Sequence, residues 1–384
     1  MHPMIKPALR RGWRNRDTVQ FGVARAHAVV VGPLDTATGS FLELLDGTRG
    51  LPLLRQEAQA LGLPEERADE LLARLTAAGL LDDTRPGGPP GTTAGGPGAA
   101  LDRLRPDAAA LSVLHPEPGA AARLLAVRRA TRVQVRGAGR VGAAVAAVLS
   151  SSGVGQVDVV DGGCVEPWDV APGGLSAEHI GERREVAARR LVRRTAPGPR
   201  PRPRAGEPPP GGEPGLALVV LAPRDGLAAY APDPAAAEPL LASGTPHLYA
   251  GVIEGTGVVG PLVLPGLTPC AGCAAAARAE REPVWPRLLA QWRSGRRGAA
   301  PACDTALATV VAGLTASRAL AFLDGGPPGG LPGGAAARWE LVLPALSWQA
   351  ERVEAHPGCE CGAAGRDDAL YASAAERPHA TMCG

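Results

Sequence analysis

Residues 132–161 read RVQVRGAGRVGAAVAAVLSSSGVGQVDVVD, a succession of strand, glycine turn, helix and second strand. Val133 and Val135 alternate with polar neighbours as in a half-buried strand. An Ala/Val/Leu-rich run of helical length follows, and a second apolar run closes on Asp161. Between them Gly137, Gly139 and Gly142 hold the G-x-G-x-x-G spacing. The first glycine allows the tight turn, the second lets a pyrophosphate approach the backbone, and the third lets helix and strand pack closely. N–H groups at the helix start then face the phosphate. Asp161 stands where such a unit presents an acid to a ribose hydroxyl. In a chain with 51 glycines, a packing motif that binds nothing has the same spacing; strand, helix and terminal acid in the right order favour a nucleotide-binding unit.

The rest of the chain is long enough, at 384 residues, for two or three domains with their own cores. Forty Lys+Arg against 38 Asp+Glu leave a formal charge of +2, so no global field points to nucleic acid or a membrane. Lys6 is the sole lysine amid abundant Ala, Gly, Pro and Arg, a genome-like bias that weakens any argument from the choice of arginine. No stretch is expected to span a membrane, and the opening MHPMIKPALRRGW lacks the apolar core of a signal peptide. Seven cysteines, with two very close pairs, fit a metal in a reducing compartment better than a disulfide scaffold, so a cytoplasmic location is expected.

Residues 1–84 read as a small separate domain. Val19 to Val23 and His27 to Val31 have strand composition; Thr36 to Gly47 reads as a helix closing on Gly47, with Phe41, Leu44 and Leu45 on one face. Leu51 to Gly62 is a second helix, and Glu65 to Leu80 a third with Ala68, Leu71, Leu72 and Leu75 at helical spacing. Strands followed by three helices predict a winged-helix-like α+β domain. From Met1 to Asp83 there are ten basic and eleven acidic residues, which lacks the basic footprint of a DNA reader and favours a protein or peptide partner. A Pro/Gly-rich linker, 85–108, separates it from a second domain, 109–384.

In that second domain Val186 to Val192 continues a helical pattern. Leu216 to Leu221 (LALVVL) is a buried parallel-sheet strand breaking at Pro223-Arg224-Asp225, and His247 to Val252 and Val258 to Leu264 are further strands. Pro/Gly-rich loops fall at 196–215 and 325–334. The pairs Cys270-x-x-Cys273 and Cys359-x-Cys361 supply four thiolates, the donor set of a structural zinc site that would staple the C-terminal region to the body. His356 reads as a loop histidine. Asp304 and Thr305 can cap a helix over Ala306 to Leu323, and Cys303 beside that helix start is equally readable as a nucleophile or a small core residue. Cys164 and Cys383 have no partner by spacing.

These stretches, taken with HIGERREVAARRL, GTGVVGPLVLPGLTPCAGC, PACDTALATVVAGLTASRALAFLDG and HPGCECG in that order, resemble the ThiF/MoeB superfamily of ubiquitin-activating-enzyme-like adenylyltransferases from Arg132 to Gly362. The N-terminal domain resembles PqqD-like peptide-recognition winged helices, a combination similar to thiazole/oxazole cyclodehydratase scaffold proteins. The resemblance implies an α/β fold with a Rossmann-like, mostly parallel sheet and a homodimer. It implies ATP with Mg²⁺ at Gly137, Gly139, Gly142 and Asp161, zinc at Cys270, Cys273, Cys359 and Cys361, and a reactive-cysteine position at Cys303. Its phosphate lysine falls on Arg184, its second aspartate on Gly163, its arginine on Pro172, and its metal-binding aspartate near Arg224, with Asp225 one position off.

Arginine for lysine at residue 184 keeps the charge but not the geometry. Losing an arginine and an acid removes much of what adenylation needs, because that chemistry relies on charge stabilisation. The expectation is therefore a protein that binds a nucleotide and a peptide or ubiquitin-like carrier as a degenerate scaffold for a partner enzyme. The alternatives are an active adenylyltransferase using Arg184, Asp225 and Cys303, and an NAD-dependent oxidoreductase sharing the glycine turn.

Overall fold

The computed structural model describes residues 1–83, 102–198, 215–295, 300–325, 334–364 and 381–382. The Pro/Gly-rich linker and loops lie largely outside the described residues, as does Cys383. The chain divides into two units, Met1–Ala126 with Ala375–Gly384, and Val127–Ala374.

In the first unit β1 (Pro3–Ile5) pairs antiparallel with β5 (Leu81–Asp83). An antiparallel sheet of β2 (Arg11–Trp13), β3 (Val19–Phe21) and β4 (Val29–Val31) takes the Thr381–Met382 strand in parallel on its β4 edge. Helices α1 (Thr36–Glu43), α2 (Leu51–Ala60) and α3 (Glu65–Ala77) bury Phe41, Leu54, Leu72 and Leu75 against Val19, Phe21 and Val31. The Asp35 carboxylate caps α1 by accepting the Thr38 N–H at 2.7 Å. That helix stops at Glu43, short of Gly47, because Asp46 bridges to Met4 and the Gly47 N–H donates to the Pro3 carbonyl at 3.1 Å. A long-range pairing overrides the local helix-stop signal. Lys6, buried in this unit, donates to the His115 and Pro116 carbonyls at 3.0 and 3.3 Å. Helix α4 (Arg105–Leu114) and the start of α5 (Ala120–Ala130) complete it.

The second unit is built on β6 (Arg132–Arg136), whose Val133 and Val135 are fully buried. It is followed by α6 (Arg140–Ser151), β7 (Gln156–Val160), α7 (Arg184–Thr195), β8 (Leu216–Leu221), α8 (Gly226–Tyr230), α9 (Pro234–Ala242) and β9 (His247–Ile253). Then come β10 (Thr256–Val263), α10 (Ala271–Arg281), α11 (Trp285–Ser294), α12 (Thr305–Leu323), β11 (Ala337–Val342) and β12 (Ser347–Arg352). The seven strands lie in the order β12-β11-β10-β9-β8-β6-β7, parallel from β9 to β7 and antiparallel from β9 outwards. This is the α/β architecture expected, with an antiparallel extension beyond it. The chain leaves β6 first towards β7 and later returns beside it as β8, so the strand order reverses at the carboxyl end of β6. Ligands enter open α/β sheets at such a reversal.

Helix α12 corrects the expectation that nothing approaches a membrane span: its 19 residues are long and apolar enough. Its Leu307, Ala308, Val311, Ala312, Ala316 and Ala319 are instead part of the core shared with α6 and the sheet. At its end Asp324 receives Arg128 through two bonds, Nε to Oδ1 at 2.7 Å and Nη2 to Oδ2 at 2.6 Å, and both side chains are buried. Asp324→Ala leaves that guanidinium buried without its anion. The expected cost in chemical denaturation is about 3–5 kcal/mol, whereas a loss of under ~1 kcal/mol would mean the pair behaves as an exposed one.

Candidate functional site

At the reversal point the backbone itself demands glycine. Gly137 has φ +112° and its N–H donates to the Val160 carbonyl at 2.9 Å, tying the turn to β7. A Cβ on Gly137 would stand 1.9 Å from the Ala222 carbonyl oxygen, and one on Gly142 would stand 2.1 Å from that of Gly137. The third glycine thus closes helix α6 onto the turn, and the first closes the turn onto the end of β8. Gly139 is the N-cap of α6, and a Cβ there would meet Cγ of Arg224 at 2.9 Å. The Arg224 side chain therefore lies against the turn at the start of α6.

Asp161 follows β7 with both oxygens engaged: Oδ2 accepts the Ala138 N–H at 2.6 Å and Oδ1 accepts Arg184 Nε at 2.9 Å. Arg184, the first residue of α7, is buried. Its remaining nitrogens donate to the Gly162 and Cys164 carbonyls and reach Asp169 at 3.5 Å. Its Nη2 sits 2.8 Å from where a Gly163 Cβ would be, so the guanidinium fills the space an acid at that position would need. Asp169 bridges to the second arginine, its Oδ1 accepting Arg224 Nε at 2.7 Å, and Glu166 accepts Arg224 Nη2. Glu166 and Asp169 are themselves locked in a reciprocal capping box around Pro167. Burial works against the Arg224 cation, but the Asp169 and Glu166 carboxylates outweigh it, and its pKa lies above the ordinary arginine value. Three acids and two arginines thus satisfy one another at the mouth of the glycine turn.

Among the described residues, Arg140, first residue of α6, has neutral oxygens as its bonded partners. It donates to the Trp168 carbonyl at 2.8 Å, the Cys303 carbonyl at 2.7 Å and Thr305 Oγ1 at 2.9 Å. This holds Cys303 beside the glycine turn. Asp304 caps α12 through the Leu307 N–H at 2.9 Å. Burial pushes the Cys303 thiol up, with Arg140 opposing and Asp304 adding, which disfavours the thiolate a nucleophile needs. Asp225 lies outside the ionic cluster, its Oδ1 accepting the Leu227 N–H at 3.0 Å as N-cap of α8. Pro172 is exposed.

The four paired cysteines converge. Cys270 and Cys359 Sγ are 3.6 Å apart, Cys273 and Cys361 Sγ 3.5 Å, and all four sulfurs lie within 4.8 Å of one another. A tetrahedral thiolate site with bonds of about 2.3 Å has edges of ~3.8 Å, so these residues could hold a metal ion. Gly272 permits the approach, since a Cβ there would be 3.0 Å from Cys359 Sγ. The backbone amides of Cys273, His356 and Cys361 favour the thiolate forms of Cys270, Cys273 and Cys359 respectively. Without a cation the Cys270 thiol is pushed up by its hydrogen bond with Cys273 and by burial, so the set cannot ionise together. His356 braces the second loop, with Nδ1 accepting the Gly358 N–H at 3.1 Å and Nε2 lying 3.0 Å from Glu280.

The structure therefore places Gly137, Gly139, Gly142, Asp161 and Arg184 together at the carboxyl ends of β6 and β7, ties the Cys303 carbonyl to the start of α6 through Arg140, leaves Asp225 as a helix cap, and gathers the four paired cysteines separately. Glu166, Asp169, Arg224 and Arg140 are the residues sequence reading missed as participants. The E-P-W-D capping pattern was the visible signal for the first two.

The ThiF family profile matches residues 118–362. No curated protein sequence matches the chain. Among solved structures, E. coli MccB with AMPCPP and selenomethionine MccA is similar at a TM-score of 0.66 and 13% identity, over 94% of this chain and 100% of that one. E. coli MccB with ATP gives 0.64 and 13% over 94% and 99%. The heterocyclase TruD gives 0.59 and 18% over 94% of this chain and 43% of that one.

Proposed function

The chain belongs to the ThiF family, and from that premise we propose that it is a catalytically degenerate member: a scaffold that captures a peptide and a nucleotide for a partner enzyme. The observation that carries this reading is the closed ionic cluster of Asp161, Arg184, Asp169, Arg224 and Glu166. It spends on internal pairs the charges an adenylation site would direct at a triphosphate. The MccB structures hold ATP or AMPCPP and the peptide MccA, which supports a nucleotide and a peptide as the ligand classes. We read the first unit as a peptide-recognising winged helix, the cysteine set as a structural zinc site in a cytoplasmic protein, and the assembly as a homodimer. Strand β2 is exposed at the edge of its sheet, the kind of edge that accepts an extended peptide by β-addition.

The test is binding of candidate precursor peptides, sought among short reading frames neighbouring the chain's gene, measured by anisotropy without nucleotide. Binding is expected for the full chain and should vanish when residues 1–84 are deleted, with the α/β domain still folded by circular dichroism. Binding that requires ATP, or that survives the deletion, would refute the capture role of this domain.

A further inference from the structure

The ThiF resemblance implies Mg²⁺ accompanying ATP, and the residues at the crevice do not fit it. Mg²⁺ takes near-octahedral oxygen ligation, held by one or two carboxylates together with substrate phosphates. The three carboxylates facing the glycine turn are already committed. Asp161 holds the Ala138 N–H and Arg184, Asp169 holds Arg224, Arg184 and the Glu166 N–H, and Glu166 holds Arg224. Asp225, the acid nearest in sequence, caps α8. In place of an acid the chain has put Arg224, whose stem crosses Gly139 at the start of α6. Arg140, on the first turn of the same helix, has neutral oxygens as its bonded partners among the described residues. A divalent cation drawn here would face two guanidinium groups, with Asp161, Asp169 and Glu166 each already holding an arginine.

We infer that this crevice accepts its nucleotide without a divalent metal, Arg224 and Arg140 supplying the positive charge on the phosphate side that Mg²⁺ supplies elsewhere. The inference rests on the proposed nucleotide reading and narrows it to the metal-free polyphosphate anion. Arg224 gives Nε to Asp169 and Nη2 to Glu166, and a guanidinium carries five N–H donors, so both carboxylates can stay in place. A planar guanidinium then offers its remaining donors to phosphate oxygens.

Calorimetry of the full chain with ATP, once in EDTA and once in excess MgCl₂, tests this. Binding in EDTA should be at least as tight as with Mg²⁺. Arg224→Gln should weaken the EDTA binding by roughly tenfold to a hundredfold, the equivalent of one hydrogen bond to a charged group. Arg224→Asp should reverse the preference, binding more tightly with Mg²⁺. Wild-type binding that is lost in EDTA and restored by Mg²⁺ would overturn the inference and leave nucleotide binding standing, as would an Arg224→Gln variant that binds ATP in EDTA like the wild type. Absence of binding in both buffers at millimolar ATP would instead remove the nucleotide reading and this inference with it.

Discussion

Cys361→Ser is expected to abolish the proposed metal binding and lower the stability of the ThiF domain by several kcal/mol. Four sulfurs within 4.8 Å of one another are tolerable as thiolates only around a cation, and serine supplies no comparable anion at neutral pH. The apolar cluster at this point is small, comprising Tyr249, Val263, Cys270, Ala271 and Cys273. With so few apolar side chains here, the proposed metal would carry much of the attachment between α10 and the loop that bears Cys359 and Cys361. Cys270→Ser should behave alike, since it removes one of the same four sulfur donors. Metal analysis should find about one zinc per wild-type chain purified without chelator, and EDTA should lower the melting temperature of the wild type but not of either variant. A wild-type protein that contains no zinc and melts identically with and without chelator would refute the zinc assignment.

What could be read from sequence divides by range of interaction. Strand β8 matches its LALVVL run residue for residue, and the start of α12 follows from Asp304, because both signals are local. The glycine turn was legible for a sharper reason: at Gly137 and Gly142 a single Cβ would collide with a carbonyl oxygen. The cysteine set was readable because two tight pairs stand out in a cysteine-poor chain. Arg224 was not, since its partners Glu166 and Asp169 lie 58 and 55 residues away and nothing local distinguishes this arginine among so many. Nor was the antiparallel extension, because β12, SWQAER, is exposed at every position and carries no alternation to detect. The early end of α1 belongs with these: its cause, the meeting of Asp46 and Gly47 with β1, is a tertiary contact.

The isolated chain should show almost no ATP–pyrophosphate exchange, at least about a thousandfold below an intact relative. Adenylation asks the protein for little covalent work; its rate comes from charge positioned on the triphosphate and the leaving pyrophosphate. Here Pro172 offers no cation, and Gly163 offers no carboxylate in a space Arg184 already occupies. Arg184 is held by Asp161, Asp169 and two carbonyls, so turning it to a phosphate would break buried ion pairs. Asp225, the remaining acid in the motif, is held as the cap of α8. Removing one preorganised group of this kind commonly costs ~2.7–4 kcal/mol of transition-state stabilisation, so two missing groups exceed the thousandfold threshold even at the low end. The raised Cys303 thiol gives no compensating route, because an acyl acceptor there would begin as the neutral, weaker nucleophile. Robust exchange that disappears in Arg184→Ala and Asp225→Ala would show that the ionic cluster opens on substrate binding, and would restore the chain to the active adenylyltransferases.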